Sequence, residues 1–409
     1  MSDVVLNQAK SEADTELKRV LGPKLLLLFI VGDILGTGIY ALTGKVAGEV
    51  GGAVWLPFIV AFSIAIVTAF SYLELVTKYP QAGGAASFVH RAFDIHFITF
   101  LVTFTVMASG ITSASTASRA FAENLAKGFG WWIDEEGAVD AGAILIGALL
   151  FILVVAAINF RGVAESVKTN VVLTLIELSG LLLVIFVGLW AVLGFSGAEV
   201  DFSRITVFES PDGKNAFVAV TAATALAFFA MVGFEDSVNM AEETKEPSRI
   251  FPKVMLSGLV LTGLIYVLVS ITAVALVPVG ELSEGGTPLL TVVERGAPNL
   301  PIDKIYPFIA MFAVANSALI NMMMASRLLY GMSRQGVLPS VLGRVHQGRR
   351  TPWTSIIFTT LLAGGLIVLV QSVANLGDVT ALLLLAVFAV VNVACLVLRR
   401  DAVGHEHFT

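Results

Sequence analysis

Long apolar blocks recur along this chain, separated by short polar segments. A bilayer-spanning helix needs ~20 mostly apolar residues. Ten segments qualify: 24–43, 52–77, 95–124, 139–159, 168–194, 216–238, 254–278, 304–331, 353–371 and 378–398. Each is predicted to be a transmembrane helix, numbered spans 1 to 10.

The charges between the blocks test this count. Loops on the cytoplasmic side of a membrane protein carry an excess of Lys and Arg. With the N-terminus inside, the inner segments hold 17 Lys and Arg and the outer loops hold 6. The remaining two, Arg119 and Arg327, lie inside spans, away from the span ends. The loop between spans 3 and 4 is acidic, with Asp134, Glu135, Glu136 and Asp140. The expectation is a single all-α polytopic membrane domain over residues 1–409. It comprises a cytoplasmic N-terminus (1–23), five helices (24–194), five more (216–398) and a cytoplasmic tail (399–409).

Composition agrees. AVILMFWYC make up 56% of the 409 residues, DEKR 14%, and the mean hydropathy is +0.87. Soluble domains are ~45–50% apolar with glycine included and ~25% charged. A soluble enzyme, a disordered chain and a nucleic-acid binder are thereby excluded, and the net charge of −6 adds no basic footprint for nucleic acid. The lone Cys395 rules out an internal disulfide. The polar N-terminus does not read as a cleavable signal. No phosphate-binding Walker loop and no catalytic constellation appears. The five histidines lack metal spacing within the spans. Neither a metal nor a cofactor is expected, and the chain does not read as an enzyme.

Two spans are interrupted. Span 1 contains Gly32-Asp33-Ile34-Leu35-Gly36-Thr37-Gly38-Ile39-Tyr40, and span 6 contains Phe228-Phe229-Ala230-Met231-Val232-Gly233-Phe234-Glu235-Asp236. Non-helical backbone at membrane depth is tolerated where it lines a cavity or is buried in protein. These are the first spans of two five-helix halves. Five is odd, so the halves enter from opposite sides and form an inverted repeat. Paired interruptions of this kind point to a transporter's central site. A half-helix N-terminus offers N–H groups to a carboxylate, and freed carbonyls suit an ammonium group or a cation. One break site can therefore hold both ends of a zwitterion. The bland alternative is that the glycines only permit close helix packing.

At these residues the chain resembles the amino acid–polyamine–organocation (APC) superfamily, in particular bacterial amino acid permeases and cationic amino acid transporters. The resemblance covers residues 20–400. It is carried by Gly36-Thr37-Gly38-Ile39-Tyr40, by Ser71-Tyr72-Leu73-Glu74-Leu75 through Pro80-Gln81-Ala82-Gly83-Gly84, and by Asn159-Phe160-Arg161-Gly162. Phe234-Glu235 through Ala241-Glu242-Glu243-Thr244-Lys245-Glu246-Pro247, and Ser326-Arg327-Leu328-Leu329-Tyr330 through Arg334 to Pro339, complete it. The resemblance implies a LeuT-like 5+5 inverted repeat with helices 1 and 6 discontinuous, and transport by alternating access. It implies a substrate carboxylate on backbone at Gly36, Thr37 and Gly38. It implies an amino group near Ile34 and the stretch holding Ala230, Val232 and Gly233. Phe229 matches an aromatic that closes over the substrate, and Glu235 a proton-sensitive acid. Two departures stand out. Relatives commonly have about twelve spans, and here Arg399–Thr409 reads as the linker into an eleventh. A lysine found midway along span 5 in proton-coupled relatives is replaced by Glu177.

Ionisable groups inside a membrane are costly and are functional candidates. Asp33 reads either as a substrate-cation or proton site or as a hydrogen-bonder to freed span-1 amides. Glu177 reads as a proton carrier or as a neutral carboxyl bonded to a neighbouring helix. Glu235 is favoured as gating or proton-linked, and Asp236 as a helix-start residue turned away from it. Glu74 reads as structural near the cytoplasmic interface, and Arg119 and Arg327 as tethers. Asn316, Ser317 and Asn321 are polar enough to complete a cation site or to link helices. The expectation is a secondary active amino-acid transporter of the plasma membrane, in contact with lipid and coupled to protons. An exchanger, a polyamine transporter and a non-transporting sensor are the alternatives.

Overall fold

The computed structural model describes residues 17–133, 139–210, 213–284, 288–298, 302–369 and 374–409. The acidic residues Asp134, Glu135 and Glu136 lie outside this set. The described chain is helical throughout, with isolated β-bridges and no strands among the described residues.

Thirteen α-helices follow in order. They are α1 (Pro23–Val50), α2 (Trp55–Lys78), α3 (Gly84–Phe93), α4 (His96–Phe129), α5 (Ala141–Arg161), α6 (Val163–Val192) and α7 (Ala216–Phe229). Then come α8 (Pro247–Leu276), α9 (Val279–Glu284), α10 (Pro288–Gly296), α11 (Ile302–Arg334), α12 (Trp353–Leu369) and α13 (Ala374–Leu398). Among the described residues, seven helical segments are long and apolar enough to cross a membrane: Pro23–Tyr40 of α1, α2, α4, α5, α6, α8 and Phe308–Arg334 of α11. Ala216–Phe229, Trp353–Leu369 and Leu383–Leu398 are apolar but shorter. Each of the ten predicted segments overlaps a helix, and over span 6 that helix, α7, stops at Phe229, within the stretch expected to break.

The ends follow local chemistry. Pro23 and Pro247 occupy the first turns of α1 and α8, where a missing N–H is harmless. The side chain of Asp140 caps α5 by accepting from the N–H of Ala143 at 2.8 Å. Asn215 does the same for α7 at Val218, at 2.9 Å. The main boundary difference is at span 5. Its helix begins at Val163, directly after Gly162, rather than near 168. Its polar first turn, with Glu165 and Lys168, is invisible to hydropathy. Glu177 consequently sits at the middle of a 30-residue helix.

The apolar side chains form two large buried clusters. The first joins α1, α2, α7 and α8; the second joins α4, α5, α11 and α12. The most extensive pairing is α4 with α11, while α1 packs against α6, α7, α8, α9 and α11. Lipid-facing surface is plain on α5, where Ile146, Leu150, Leu153 and Val154 are exposed. Buried α1 and exposed α5 set the pattern: the interrupted helix is central and the uninterrupted one peripheral.

Candidate functional site: two facing helix breaks

In α1 the helical path fails at one residue, Gly36, with φ 9° and ψ −172°. Gly36 is buried, yet a Cβ placed on it would meet no atom within 4 Å. The break therefore opens onto an internal space. Span 6 breaks more widely. Its α-helix stops at Phe229, and the chain resumes as a 3-10 helix over Asp236–Glu243. Gly233 in between has φ +136°, which side chains rarely adopt. The Glu235 carboxylate turns back to accept from the N–H of Gly233 at 2.9 Å. Such local bonds compete with helix formation.

The two breaks touch. A Cβ on Gly38 would lie 2.8 Å from the Cα of Ala230. A Cβ on Gly233 would lie 3.0 Å from the backbone carbonyl of Asp33. Both contacts demand glycine, so these two residues let the breaks meet. From α8, the Tyr266 hydroxyl donates to the carbonyl of Ile34 at 2.5 Å. The carbonyls of Leu35 and Ala230 stand 3.1 Å away. Tyr266 thus bridges both breaks and occupies carbonyls expected to be available to an amino group. The sequence reading missed it, although it is the lone tyrosine in an otherwise aliphatic span 7.

Carboxyl groups gather at the breaks. Glu235 and Asp236 are both buried. Asp33 is partly buried, and its Oδ2 has no hydrogen-bond partner. Its carboxyl carbon lies 3.2 Å from where a Gly233 Cβ would stand, and Glu235 is bonded to that same Gly233. The Tyr72 hydroxyl is fully buried without a partner and faces the field of Glu235 and Asp236. Its ring packs edge-on against Phe88, Phe234 and Phe388. Asp236 is the first residue of the 3-10 helix, the helix-start position expected of it.

A second polar cluster joins α1, α6 and α11. The Asn316 amide donates towards the carbonyl of Gly32 at 3.2 Å, Thr174 Oγ1 at 3.1 Å and Glu177 Oε2 at 3.2 Å. Asn170 donates to Asn316 Oδ1 at 2.8 Å. Asn170, Thr174, Glu177 and Asn316 are all fully buried. Glu177 Oε1 has no partner, and the Tyr40 hydroxyl donates to the Glu177 backbone carbonyl at 2.9 Å. Asn170 and Thr174 had a sequence signal: with Glu177 they recur at four- and three-residue spacing, on one helical face. Ser317 does not join the cluster. It is half-buried, and its backbone carbonyl accepts from Asn321. With its only oxygen taken by Asn170, Asn316 is arranged as a hydrogen-bond hub.

The remaining candidates are dispersed. Phe229 ends α7 with its ring 37% exposed, and Val232 is half-buried in the turn. The side chain of Thr37 lies outside the described residues. Arg327 forms a fully buried ion pair with Glu243, at 3.2 and 3.3 Å. The Glu243 carbonyl also accepts from the N–H groups of Val20 and Leu21. The Arg399 guanidinium grips Glu74 with bonds of 2.8 and 3.0 Å, and Arg119 donates to the carbonyl of Ile367. All three arginines are thus tethers. No group of acids, histidines or cysteines suited to a metal occurs among the described residues.

Comparison with known proteins bears on this architecture. Residues 21–406 match the family described as amino acid permease. The chain belongs to the amino acid permease family. Among similar curated proteins is the methylthioribose transporter of Bacillus subtilis (strain 168), 27% identical over 413 residues, covering 96% of this chain and 83% of that protein. The branched-chain amino acid permease BcaP of the same organism is 26% identical, with coverage of 96% and 83%. The chloroplastic cationic amino acid transporter 9 of Arabidopsis thaliana is 29% identical over 350 residues, with coverage of 82% and 59%. This permease is accordingly a transport protein of the APC superfamily and not an enzyme.

Proposed function

We propose that this permease is a secondary active transporter that moves an amino acid across the plasma membrane by alternating access. In this reading ten helices cross the bilayer as a 5+5 LeuT-like inverted repeat, with both termini cytoplasmic. The half-helix 216–229 and the 3-10 run after it together make the sixth crossing. The carrying observation is the pair of facing breaks, joined at Gly38–Ala230 and Gly233–Asp33, beside an open space at Gly36. Backbone at Gly36, Thr37 and Gly38 receives the substrate carboxylate. Carbonyls at Ile34 and in the 230–233 turn receive its amino group, which requires Tyr266 to yield one of them. In this reading Phe229, at the end of α7, closes over the bound substrate.

Proton coupling runs through the carboxyls. Glu177 stands where it can exchange one hydrogen bond with the hub at Asn316, while Asp33 and Glu235 flank the breaks. A shared proton would ease the mutual repulsion of Asp33, Glu235 and Asp236. A site so rich in carboxyls also favours a substrate with a cationic side chain over a neutral one. The test is radiolabelled uptake into proteoliposomes, under imposed proton gradients and under exchange conditions. Gradient-driven saturable uptake is expected. Uptake only against a preloaded amino acid makes the protein an exchanger. Saturable binding with no flux under any condition refutes the transporter reading and leaves a sensor.

A further inference from the structure

A different site lies at the end of the bundle that carries residue 17. There a cleft of about 340 Å³ is lined by Lys18, Arg161, Gly162–Glu165 and Gly348–Arg350. Three segments remote in sequence supply it: the stretch before α1, the α5–α6 junction, and the loop between α11 and α12. Four cationic side chains (Lys18, Arg161, Arg349, Arg350) face one carboxylate, Glu165. Excess positive charge on one face is general to membrane proteins. Convergence of four cations into one concavity is not.

The cleft is also preorganised. The α11–α12 loop is closed on itself: the N–H of His346 donates to the Thr351 carbonyl at 2.9 Å, and that of Arg350 to the His346 carbonyl at 2.7 Å. Arg349 lies over the Phe160 ring at 4.8 Å, and the His346 ring meets the same ring edge-on at 5.5 Å. Little ordering remains to be done on binding, which favours affinity. The floor of the cleft is the start of α6, a 30-residue helix whose Gly162 cap offers no side chain. The Glu165 carboxylate folds back over this start, 2.6 Å from where a Gly162 Cβ would stand, so the cations rather than the helix dipole supply the attraction for a phosphate. About two turns before Arg161 on α5, Leu153 and Val154 are exposed.

We propose that this cleft binds a phosphate group, supplied either by an anionic phospholipid headgroup or by a soluble phosphate. Basic clefts at helix ends are suited to such headgroups. The inference does not depend on the transport reading.

The test uses the full chain in nanodiscs. Native mass spectrometry counts lipids retained from discs of phosphatidylcholine doped with phosphatidylglycerol. A thermal shift with inorganic phosphate in pure phosphatidylcholine discs forms the second arm. Preferential retention of phosphatidylglycerol is expected, falling roughly tenfold in the double variant Arg161→Gln/Arg349→Gln. Stabilisation by inorganic phosphate that the same variant loses assigns the cleft to a soluble ligand instead. Lys168→Gln removes an exposed charge from the start of α6 outside the cleft and should change neither arm. Arg161→Lys/Arg349→Lys keeps the charge and should retain binding, which separates loss of the site from loss of the fold. The proposal is overturned if neither ligand depends on Arg161 and Arg349, or if Lys168→Gln weakens binding equally.

Discussion

Buried carboxylates occur in two settings in this permease, and the contrast separates scaffold from site. At the end of the bundle that carries residue 17, each is matched by an arginine: Glu243 by Arg327 and Glu74 by Arg399. At the helix breaks, Asp33, Glu235 and Asp236 bear on one another, and Glu177 leaves one oxygen unpartnered. The first arrangement holds segments together. Glu243 ties α11, the 3-10 run of span 6 and the stretch before α1. The second arrangement is expensive. Glu177 takes a bond from Asn316 and Glu235 one from the Gly233 N–H, and under the proposed function a substrate or a proton completes the rest.

The contrast can be broken from either side. The largest effect on stability is expected from Arg327→Ala, which strands Glu243 in a dry interior. Removing one partner of a buried pair costs about 3–5 kcal/mol, seen as a marked drop in Tm in detergent. Gly38→Val comes next. Its side chain must displace Ala230, whose Cα is already 2.8 Å from the ideal Cβ position. Overpacking costs about 1–3 kcal/mol, and uptake should be lost entirely because the breaks can no longer approach. Glu177→Gln should leave Tm nearly unchanged, since Asn316 can still donate to the new amide oxygen, but should remove the pH dependence of uptake. Retained wild-type pH dependence would take Glu177 out of the coupling mechanism. Arg399→Gln should have the smallest effect. Glu74 is buried but Arg399 is 59% exposed, so water can reach the carboxylate and the cost stays well below that of Arg327→Ala.

Much of this arrangement was legible in the chain. Apolar blocks of bilayer length do not depend on tertiary context, so each of the ten segments overlaps a helix, and seven helical segments among the described residues are long enough to cross a membrane. Gly36, Gly38 and Gly233 marked the breaks because glycine in an apolar helix lowers helix stability without adding apolar surface. What the sequence could not show was partnership. Tyr266 lies more than two hundred residues from Ile34, and no local pattern connects them. Asn170 and Thr174 matter only because α1 and α11 bring Gly32 and Asn316 against their face of α6. The start of α6 was misplaced because hydropathy cannot see a polar first turn.

The central claim is that the facing breaks form a transport site, and uptake by reconstituted wild-type protein beside Gly38→Val tests it most directly. Proteoliposomes carrying each protein, matched for reconstituted amount, would be scored for radiolabelled amino acid under an inward proton gradient. The account predicts saturable uptake by the wild type and none by Gly38→Val, which still folds by its thermal transition. Equal uptake by both proteins would contradict it, because the breaks would then have no part in transport.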